Sequence, residues 1–175
     1  MLNAAGRMGH ARLAVELLTT DNQYRAMQIA QYLKEQNKLR QKYQREIFKQ
    51  VRQRIHDSGF NHPDRKTIVL AGENWHPGVI GIVASRVIDD FYRPTILINL
   101  ENGTGQGSGR SIEGFNLHAA LGACREHLIR FGGHEMAAGL RIESGKVAVF
   151  AEQFEAYAHK QIADKMLESP LLIEA

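Results

Sequence analysis

A glycine-rich segment carries the side chains best suited to hold a phosphate. Glycine occupies every second place from 103 to 109, and Ser108, Arg110 and Ser111 lie within or directly after this run. If the segment is extended, its glycines share one face and leave bare backbone there, which suits close approach by a ligand or another chain. The adjoining guanidinium and hydroxyl groups are donors that bind phosphate oxygens. A flexible hairpin with an exposed arginine accounts for the same pattern equally well.

A second run of small residues surrounds His134. It reads Gly-Gly-His-Glu-Met-Ala-Ala-Gly from 132 to 139 and follows a predicted helix, so we expect Gly132 to be the left-handed cap of that helix. The further small residues, beginning with Gly133, exceed what a cap requires and allow backbone amides to face a ligand. His134 could then donate to a phosphate oxygen or carry a proton. A structural or solvated position is the commoner alternative for a lone histidine.

The segment from 73 to 78 joins a predicted strand to a predicted helix. Open α/β sheets bind ligands where their strands end, and the amides that begin a helix attract anions. Asn74 and His76 are therefore candidates for hydrogen bonds to a substrate. Trp75 could stack on a nucleobase, although a core position explains it as well.

Arg7 is a further candidate for a phosphate contact. It ends the short segment Asn-Ala-Ala-Gly-Arg at 3–7, whose small residues suggest a tight backbone around the guanidinium. A solvated surface arginine is the alternative.

The sequence lacks the common motifs of metal-dependent and nucleotide-binding catalysis. It contains no Asp-x-Asp and no Asp-His-His, so we predict neither a metal site nor a catalytic residue within it. No Gly-Lys-Ser/Thr follows the glycine run, which excludes a P-loop. The single cysteine, Cys124, excludes an internal disulfide, and its spacing from Leu117, Leu121 and Leu128 predicts a core position on a helix.

A long basic helix is predicted from 21 to 58. This segment contains neither proline nor glycine, Asp21 is a suitable N-cap, and Gly59 is a suitable stop. Nine Lys and Arg against four Asp and Glu give it a net charge of +5, which exceeds the +3 of the whole chain. The helix is either a solvated arm joining two bodies or a contact for a nucleic-acid backbone.

Strands and helices alternate after Gly59. This alternation predicts an α/β domain with a mixed sheet flanked by helices, preceded by the long helix. The predicted strands are Thr67 to Ala71, Thr95 to Leu100 and Ala138 to Ile142, and the predicted helices are Gly78 to Phe91, Asn116 to about Phe131 and Val147 to Leu167.

Composition and length fit one globular domain with additional segments. The chain has 175 residues, of which 43% are hydrophobic and 23% charged. Its apolar stretches are too short to cross a bilayer, and no secretory signal opens it. We expect a cytoplasmic protein without a membrane partner. Both ends look cut, which predicts a fragment of a longer protein.

Four motifs in order resemble one family. Together with the long helix they are similar, over essentially the whole chain, to the RecJ single-stranded-DNA-specific exonucleases of the DHH phosphoesterase superfamily. The motifs lie at 3–8, 72–81, 107–111 and 132–139. The resemblance implies a C-terminal portion of such an enzyme: 1–20 as the tail of the DHH catalytic domain, 21–58 as the connecting helix, 59–168 as the DHH-associated substrate-binding domain, and 169–175 as the start of an oligonucleotide-binding fold.

The resemblance also implies a function for the whole protein. It would degrade single-stranded DNA from the 5′ end to mononucleotides in DNA repair and recombination, using Mn²⁺ or Mg²⁺ held by the DHH domain. Single-stranded DNA is then the partner of this chain, and a single-strand-binding protein or a helicase is a possible partner of the whole enzyme. Two alternatives stay open: an oligonucleotide or cyclic-dinucleotide phosphodiesterase of the same superfamily, and a non-catalytic protein-interaction module.

The resemblance assigns roles to the candidate residues. Ser108, Arg110 and Arg7 would hold the 5′-terminal phosphate, while Gly132, Gly133 and His134 would line the substrate side of a cleft. The metal-binding motifs would lie upstream of Met1. We therefore expect the chain alone to bind the DNA end and close the cleft, to bind no metal, and to be inactive.

Overall fold

The computed structural model describes residues 2–60 and 62–168. Backbone contacts divide the chain into two compact units, one ending at Ile47 and the other beginning at Phe48. The predicted start of an oligonucleotide-binding fold at 169–175 lies outside the described residues. The predicted domain boundaries stay predictions.

Three helices form the first unit. They are α1 (Leu2–Arg7), α2 (Ala11–Thr19) and the N-terminal part of α3 (Gln23–Asp57). Ala5, Ile29 and Leu33 make a small buried core, against which apolar side chains of α2 pack. An ion pair of 2.6 Å between Arg25 and Glu16 joins α3 to α2, and its hydrogen bond lowers the pKa of the Glu16 carboxyl. Arg7 is the last residue of α1, so the segment of small residues before it is helical.

Helix α3 confirms the predicted long helix, with one change at its start. The side chain of Asn22 accepts a hydrogen bond of 3.0 Å from the backbone N–H of Arg25, so Asn22 and not Asp21 caps the helix. Gly59 adopts a φ of 67° directly after the helix, as expected for a stop. None of the described helices is both long enough and apolar enough to span a membrane.

A mixed sheet flanked by helices forms most of the second unit, as predicted, and it contains β3 and β4 in addition to the three predicted strands. The strand order is β1-β2-β3-β5-β4, in which β1 and β2 are parallel and the other neighbours antiparallel. Helix α4 makes the crossover that the parallel pair requires. The elements are β1 (Ile68–Glu73), α4 (Pro77–Phe91), β2 (Thr95–Glu101), β3 (Thr104–Arg110), α5 (Leu117–Ala123), β4 (Leu128–Gly133), β5 (Ala137–Glu143) and α6 (Val147–Gln161).

Different helices cover the two faces of this sheet. Helices α5 and α6 lie on one face, where Leu117, Phe150 and Phe154 share a buried core with apolar strand residues such as Ile96 and Ile142. Helix α4 packs against β2 and β3 on the other face. We call these the core face and the α4 face.

The predicted helix from Asn116 to about Phe131 is wrong in its second half. Asn116 does cap α5, but the helix ends at Ala123, and strand β4 begins at Leu128 after a single 3-10 turn. The register of β4 against β5 shifts between Leu128 and Arg130. Because this bulge adds a residue, Leu128 and Phe131 both pack against the core although they are three apart, which imitates helical spacing.

Helix α6 is shorter than predicted and anchors the start of the sheet. It ends at Gln161, and a 3-10 turn follows from Asp164 to Leu167. The buried carboxylate of Glu155 accepts the backbone N–H groups of Lys66 and Thr67 at 2.8 and 2.9 Å, and it also accepts the Thr67 hydroxyl. These bonds fix the residues that precede β1.

Candidate nucleic-acid interface

The glycines of β3 share one face, as predicted, but that face is the core face. A Cβ added at Gly107 would lie 2.8 Å from Leu140 Cγ and Cδ1, and one at Gly109 would lie 2.9 Å from Leu117 Cδ2. At Gly105 an added Cβ would meet Ile98 Cγ2 at 2.6 Å. These glycines therefore make room for the protein's own apolar side chains. The expectation that they leave a bare surface for a ligand is wrong.

The opposite face of β3 carries the polar residues of the run. Gly81 of α4 lies directly over two of them: a Cβ added there would be 2.8 Å from Ser108 Oγ and 2.9 Å from Arg110 Nη2. The Arg110 guanidinium donates to the carbonyl oxygen of Gly109 at 2.7 Å and to Ser108 Oγ at 3.3 Å. The absence of a side chain at Gly81 thus allows a guanidinium and a hydroxyl to lie side by side beneath the helix.

Beyond α4 the same face opens into a groove with a backbone floor. Ser108 lies opposite Gly139, and Gly139 lies opposite Gly132, so one row across three strands contains two glycines. Both glycines are exposed. Among the described residues, a Cβ at Gly132 would meet no atom within 4 Å, and one at Gly139 would meet only the Gly107 carbonyl oxygen, at 3.8 Å. The bare backbone that the sequence placed on β3 therefore lies on β5 and β4.

Basic side chains border this row on both sides. The row toward one end of the sheet contains Arg110 opposite Ala137, and the row toward the other end contains Gln106, Arg141 and Arg130 in direct opposition. A cavity of about 340 Å³ lies over the glycines; its lining residues are Gln106, Gly107, Arg130, Phe131, Gly132, Gly139, Leu140 and Arg141. We call it the glycine cavity. A single-stranded nucleic acid, with phosphates for the guanidinium groups and flat bases for the bare backbone, has the chemistry that this surface accepts.

Sequence reasoning missed Arg130, Arg141 and Gln106. Assigning the segment around Arg130 to a helix hid the alternation that places it on the same face as Gly132. The signal was present in two short patterns, Arg-x-Gly at 130–132 and Gly-x-Arg at 139–141, which become informative once both segments are strands.

A second cavity of about 290 Å³ continues the groove. It shares Gln106 and Arg141 with the glycine cavity and is otherwise lined by polar residues: Asn99, Glu101, Asn102 and Thr104. It lies at the end of the sheet where β2 ends and β3 begins. Because they share two lining residues, the two cavities lie next to each other along the α4 face.

His134 lies in the hairpin between β4 and β5. Its side chain is exposed, and its backbone N–H donates to the Ala137 carbonyl oxygen at 2.8 Å. Ala137 is in turn the partner of Arg110, so the backbones of His134 and Arg110 are two strand spacings apart, about 10 Å. The structure thus brings these two predicted residues to the same end of the sheet.

The two glycines before His134 have explanations other than a helix cap. Gly132 is a strand residue, so its predicted role as a cap is wrong. Gly133 has a φ of 144°, and a Cβ there would lie 2.4 Å from the Ala137 carbonyl oxygen. Glycine at 133 is therefore required by the hairpin itself, whereas glycine at 132 is not required by any packing contact.

The loop with Asn74 and His76 lies at the opposite end of the sheet from Arg110 and His134. Asn74 is exposed with a φ of 61°, and His76 Nδ1 accepts the backbone N–H of Gly78 at 3.1 Å, which caps α4.

Trp75 is 2% exposed, so it belongs to the core and does not present a stacking surface. Its indole N–H donates to Gln50 Oε1 at 2.8 Å, and its backbone N–H donates to Asn99 Oδ1 at 3.0 Å. The latter bond places this loop beside the second cavity.

Two predicted residues, Ser111 and Arg7, are not among those that line the glycine cavity. The buried hydroxyl of Ser111 donates to the Phe115 carbonyl oxygen at 2.6 Å, closing the turn before α5. Arg7 belongs to the first unit, where it lines an open hollow with Asn3, Gly6, Ala11 and Ala14. The Ser111 hydroxyl therefore serves the turn and not the groove, and the role of Arg7 stays a prediction.

The described residues offer no ligand set for a metal. Within 2–60 and 62–168 no three His, Cys, Asp or Glu side chains cluster closely enough to hold an ion.

Cys124 is fully buried beside α5, and this burial, with a smaller contribution from Glu126, raises the pKa of its thiol to about 11. The thiol is therefore a protonated core group at neutral pH, and the predicted core position of Cys124 is confirmed.

Comparison with known proteins identifies relatives of the second unit and of the whole chain. The DHHA1 domain family matches residues 64–160. The RecJ single-stranded-DNA-specific exonuclease of Bacillus subtilis is 37% identical over 166 residues, or 94% of this chain. The enzyme of the same name from Thermus thermophilus is 33% identical over 98% of it. The chain spans 21% and 24% of the lengths of these two relatives.

Solved structures agree with this relationship. The crystal structure of RecJ with Mg²⁺ from Thermus thermophilus superposes with a TM-score of 0.83 at 33% identity, covering 93% of this chain and 25% of that one. A structure of exonuclease RecJ bound to manganese gives a TM-score of 0.80 at 32% identity, covering 95% and 42%. The described fold is therefore also the fold of a part of these enzymes.

Proposed function

Because this chain belongs to the DHHA1 domain family and its relatives are RecJ exonucleases, we propose that it is the DNA-seating portion of a single-stranded-DNA exonuclease. One observation carries this proposal. The row of Ser108, Gly139 and Gly132 is bare backbone apart from one hydroxyl, and guanidinium groups border it on both sides. A single strand lying in this groove would place its backbone against the arginines and its sugars and bases over the glycines.

The terminal phosphate is assigned to Arg110 and Ser108. Their side chains lie 3.3 Å apart, so one phosphate oxygen could accept from both groups. A 5′-phosphate carries more negative charge than an internal phosphodiester and gains more from this pair. Binding of the 5′ end, and degradation from that end in DNA repair and recombination, are parts of this proposal.

Hydrolysis is assigned to the remainder of the enzyme. Relatives of this chain were crystallised with Mg²⁺ and Mn²⁺, whereas the described residues hold no cluster of metal ligands. We propose that the metal centre lies in the portion of the relatives that this chain does not match. The chain would then position the strand and exclude water from its bound end, without cleaving it.

Fluorescence anisotropy with labelled dT8 tests the proposal. We expect the affinity of the whole chain to fall steeply with salt, and 5′-phosphorylated dT8 to bind more tightly than dT8 with a 5′-hydroxyl. Arg110→Gln should remove most of this difference. Lys160→Gln, an exposed charge on α6, should leave it unchanged. Binding that is indifferent to salt and to the 5′-phosphate would contradict the proposal.

The same preparation separates the proposal from its alternatives. Incubated with labelled dT8 and Mn²⁺, the chain should release no mononucleotide, and release that disappears in Arg110→Gln would contradict its assignment as the non-hydrolytic part. Tighter binding of a cyclic dinucleotide than of dT8 would favour the phosphodiesterase. Capture of a protein partner that survives nuclease treatment, without DNA binding, would favour the interaction module.

A further inference from the structure

Two arginines lie directly opposite each other on neighbouring strands, and within the described part of the chain neither forms an ion pair. Arg130 of β4 pairs with Arg141 of β5, both side chains are exposed, and both line the glycine cavity. Like charges in this cross-strand position destabilise a sheet. A pair of this kind costs stability in the free protein, so its presence points to a bound anion that offsets the repulsion.

The surroundings of the pair do not supply that anion. Glu143 lies two positions beyond Arg141 on the same strand, and Glu101 lines the second cavity with Arg141, but no ion pair or hydrogen bond joins either arginine to any other side chain of the described residues. The next residue in the row is Gln106, whose amide can donate to the same ligand. Three neighbouring strands thus present two guanidinium groups and one amide in a single row.

We propose that Arg130, Arg141 and Gln106 bind an internal phosphate of the single strand, separate from the terminal phosphate at Arg110 and Ser108. This inference rests on the proposed function. Gln106 and Arg110 are four residues apart on β3, about 13 Å along the strand. The glycine row lies between them and leaves room for a sugar and a base.

The chemistry of the two subsites differs in a testable way. Hydrogen bonds to Ser108 and to the Gly109 carbonyl oxygen hold the Arg110 guanidinium in place. This fixed guanidinium suits a phosphate at the 5′ end of the DNA. Arg130 and Arg141 offer two guanidinium forks to one phosphodiester, which has only two free oxygens and a single charge. The first subsite should therefore distinguish a 5′-phosphate from a 5′-hydroxyl, and the second should not.

The test compares the double variant Arg130→Gln/Arg141→Gln with the control Lys160→Gln/Lys165→Gln, which removes the same charge from exposed positions in and after α6. The probes are dT8 with and without a 5′-phosphate. We expect the double variant to bind both probes about tenfold more weakly, and the slope of log affinity against log salt to decrease by about 0.7. The preference for the 5′-phosphate should remain that of the unmodified chain. Thermal unfolding should show a melting temperature no lower than that of the control.

Three results would overturn the inference in different ways. If the unmodified chain binds neither probe, the proposed function fails and this inference fails with it. If the unmodified chain binds but the double variant matches the control in affinity and salt slope, only the second subsite is lost. If the double variant also loses the preference for the 5′-phosphate, then Arg130 and Arg141 bind the same terminal phosphate as Arg110, and there is no second subsite.

Discussion

The glycines of β3 and the glycines of β4 and β5 lie in the same sheet but serve opposite purposes. At Gly105, Gly107 and Gly109 the missing side chain is replaced by apolar groups of neighbouring strands and of α5, within 3 Å of where a Cβ would be. At Gly132 and Gly139 the space above the backbone is open. The first set allows a thin, tightly packed core, and the second set leaves a surface free for a ligand.

The difference shows that a pattern of glycines in a strand does not reveal their role until the residues that face them are known. A strand with alternating glycines is equally compatible with a buried seam and with an open groove. The identity of the facing residues, Leu140 and Leu117 in one case and solvent in the other, determines which role applies. The following substitutions separate the two roles.

Gly107→Val should have the largest effect on stability. Its Cβ would be 2.8 Å from Leu140 Cγ and Cδ1, and overpacking of this kind costs about 1–3 kcal/mol of the free energy of unfolding. Urea denaturation followed by circular dichroism measures the change. A loss below about 0.5 kcal/mol would mean that the core face of β3 is looser than described.

Gly132→Val should weaken DNA binding and leave the stability of the fold nearly unchanged. Because no atom lies within 4 Å of the added Cβ, we expect the free energy of unfolding to change by less than about 0.5 kcal/mol. Affinity for dT8 should fall about tenfold, since the isopropyl group occupies the floor of the glycine cavity. Anisotropy and urea denaturation on the same sample measure both quantities. Unchanged DNA affinity would remove the glycine cavity from the binding path.

Gly81→Ala should have a smaller effect that is confined to the terminal phosphate. The added methyl would displace the ends of two flexible side chains, Ser108 and Arg110, while alanine gains about 1 kcal/mol of helix propensity over glycine. The free energy of unfolding should therefore change little. The preference for 5′-phosphorylated over unphosphorylated dT8 should decrease about threefold by anisotropy. An unchanged preference would separate the phosphate subsite from the contact with α4.

The labelling rate of the Cys124 thiol measures how often the core face opens, independently of DNA binding. Burial raises the pKa of its thiol to about 11, so at pH 8 the thiol stays protonated in the folded protein and becomes reactive only on opening. Labelling by a chromogenic disulfide should be slow in the unmodified chain and in Gly132→Val. It should be faster in Gly107→Val, whose core is loosened. Equal rates in the two variants would contradict the division of the glycines into two classes.

Much of the fold could be predicted because several elements carry local signals. The β-branched residues of β1 and β2, the His-Pro-Gly start of α4 and the absence of glycine and proline from α3 each indicate one structure. Strand β4 could not be predicted in this way. The bulge after Leu128 gives its buried residues the spacing of a helix, and only the pairing with β5 reveals the strand.

The candidate site was predicted in part for the same reason. Ser108 and Arg110 were found because they adjoin a visible motif, and the structure places them on one face with Gly132. Arg130 and Arg141 lie just outside the glycine–histidine motif at 132–139, and the short patterns that contain them become informative only through the register of β4 against β5. The orientation of the β3 glycines depended likewise on residues such as Leu117 and Leu140 that meet them only in the folded chain.

The hydrogen bonds of Glu155 constrain the order in which the second unit can form. Its carboxylate joins α6 to residues 88 and 89 positions earlier, so the start of the edge strand β1 stays unanchored until the last helix has docked. Because closing so long a loop is entropically costly, we expect this anchor to form after the local helices and hairpins. A chain interrupted before α6 would leave the amides of Lys66 and Thr67 without their acceptor, which makes the final helix a condition for completing the first strand.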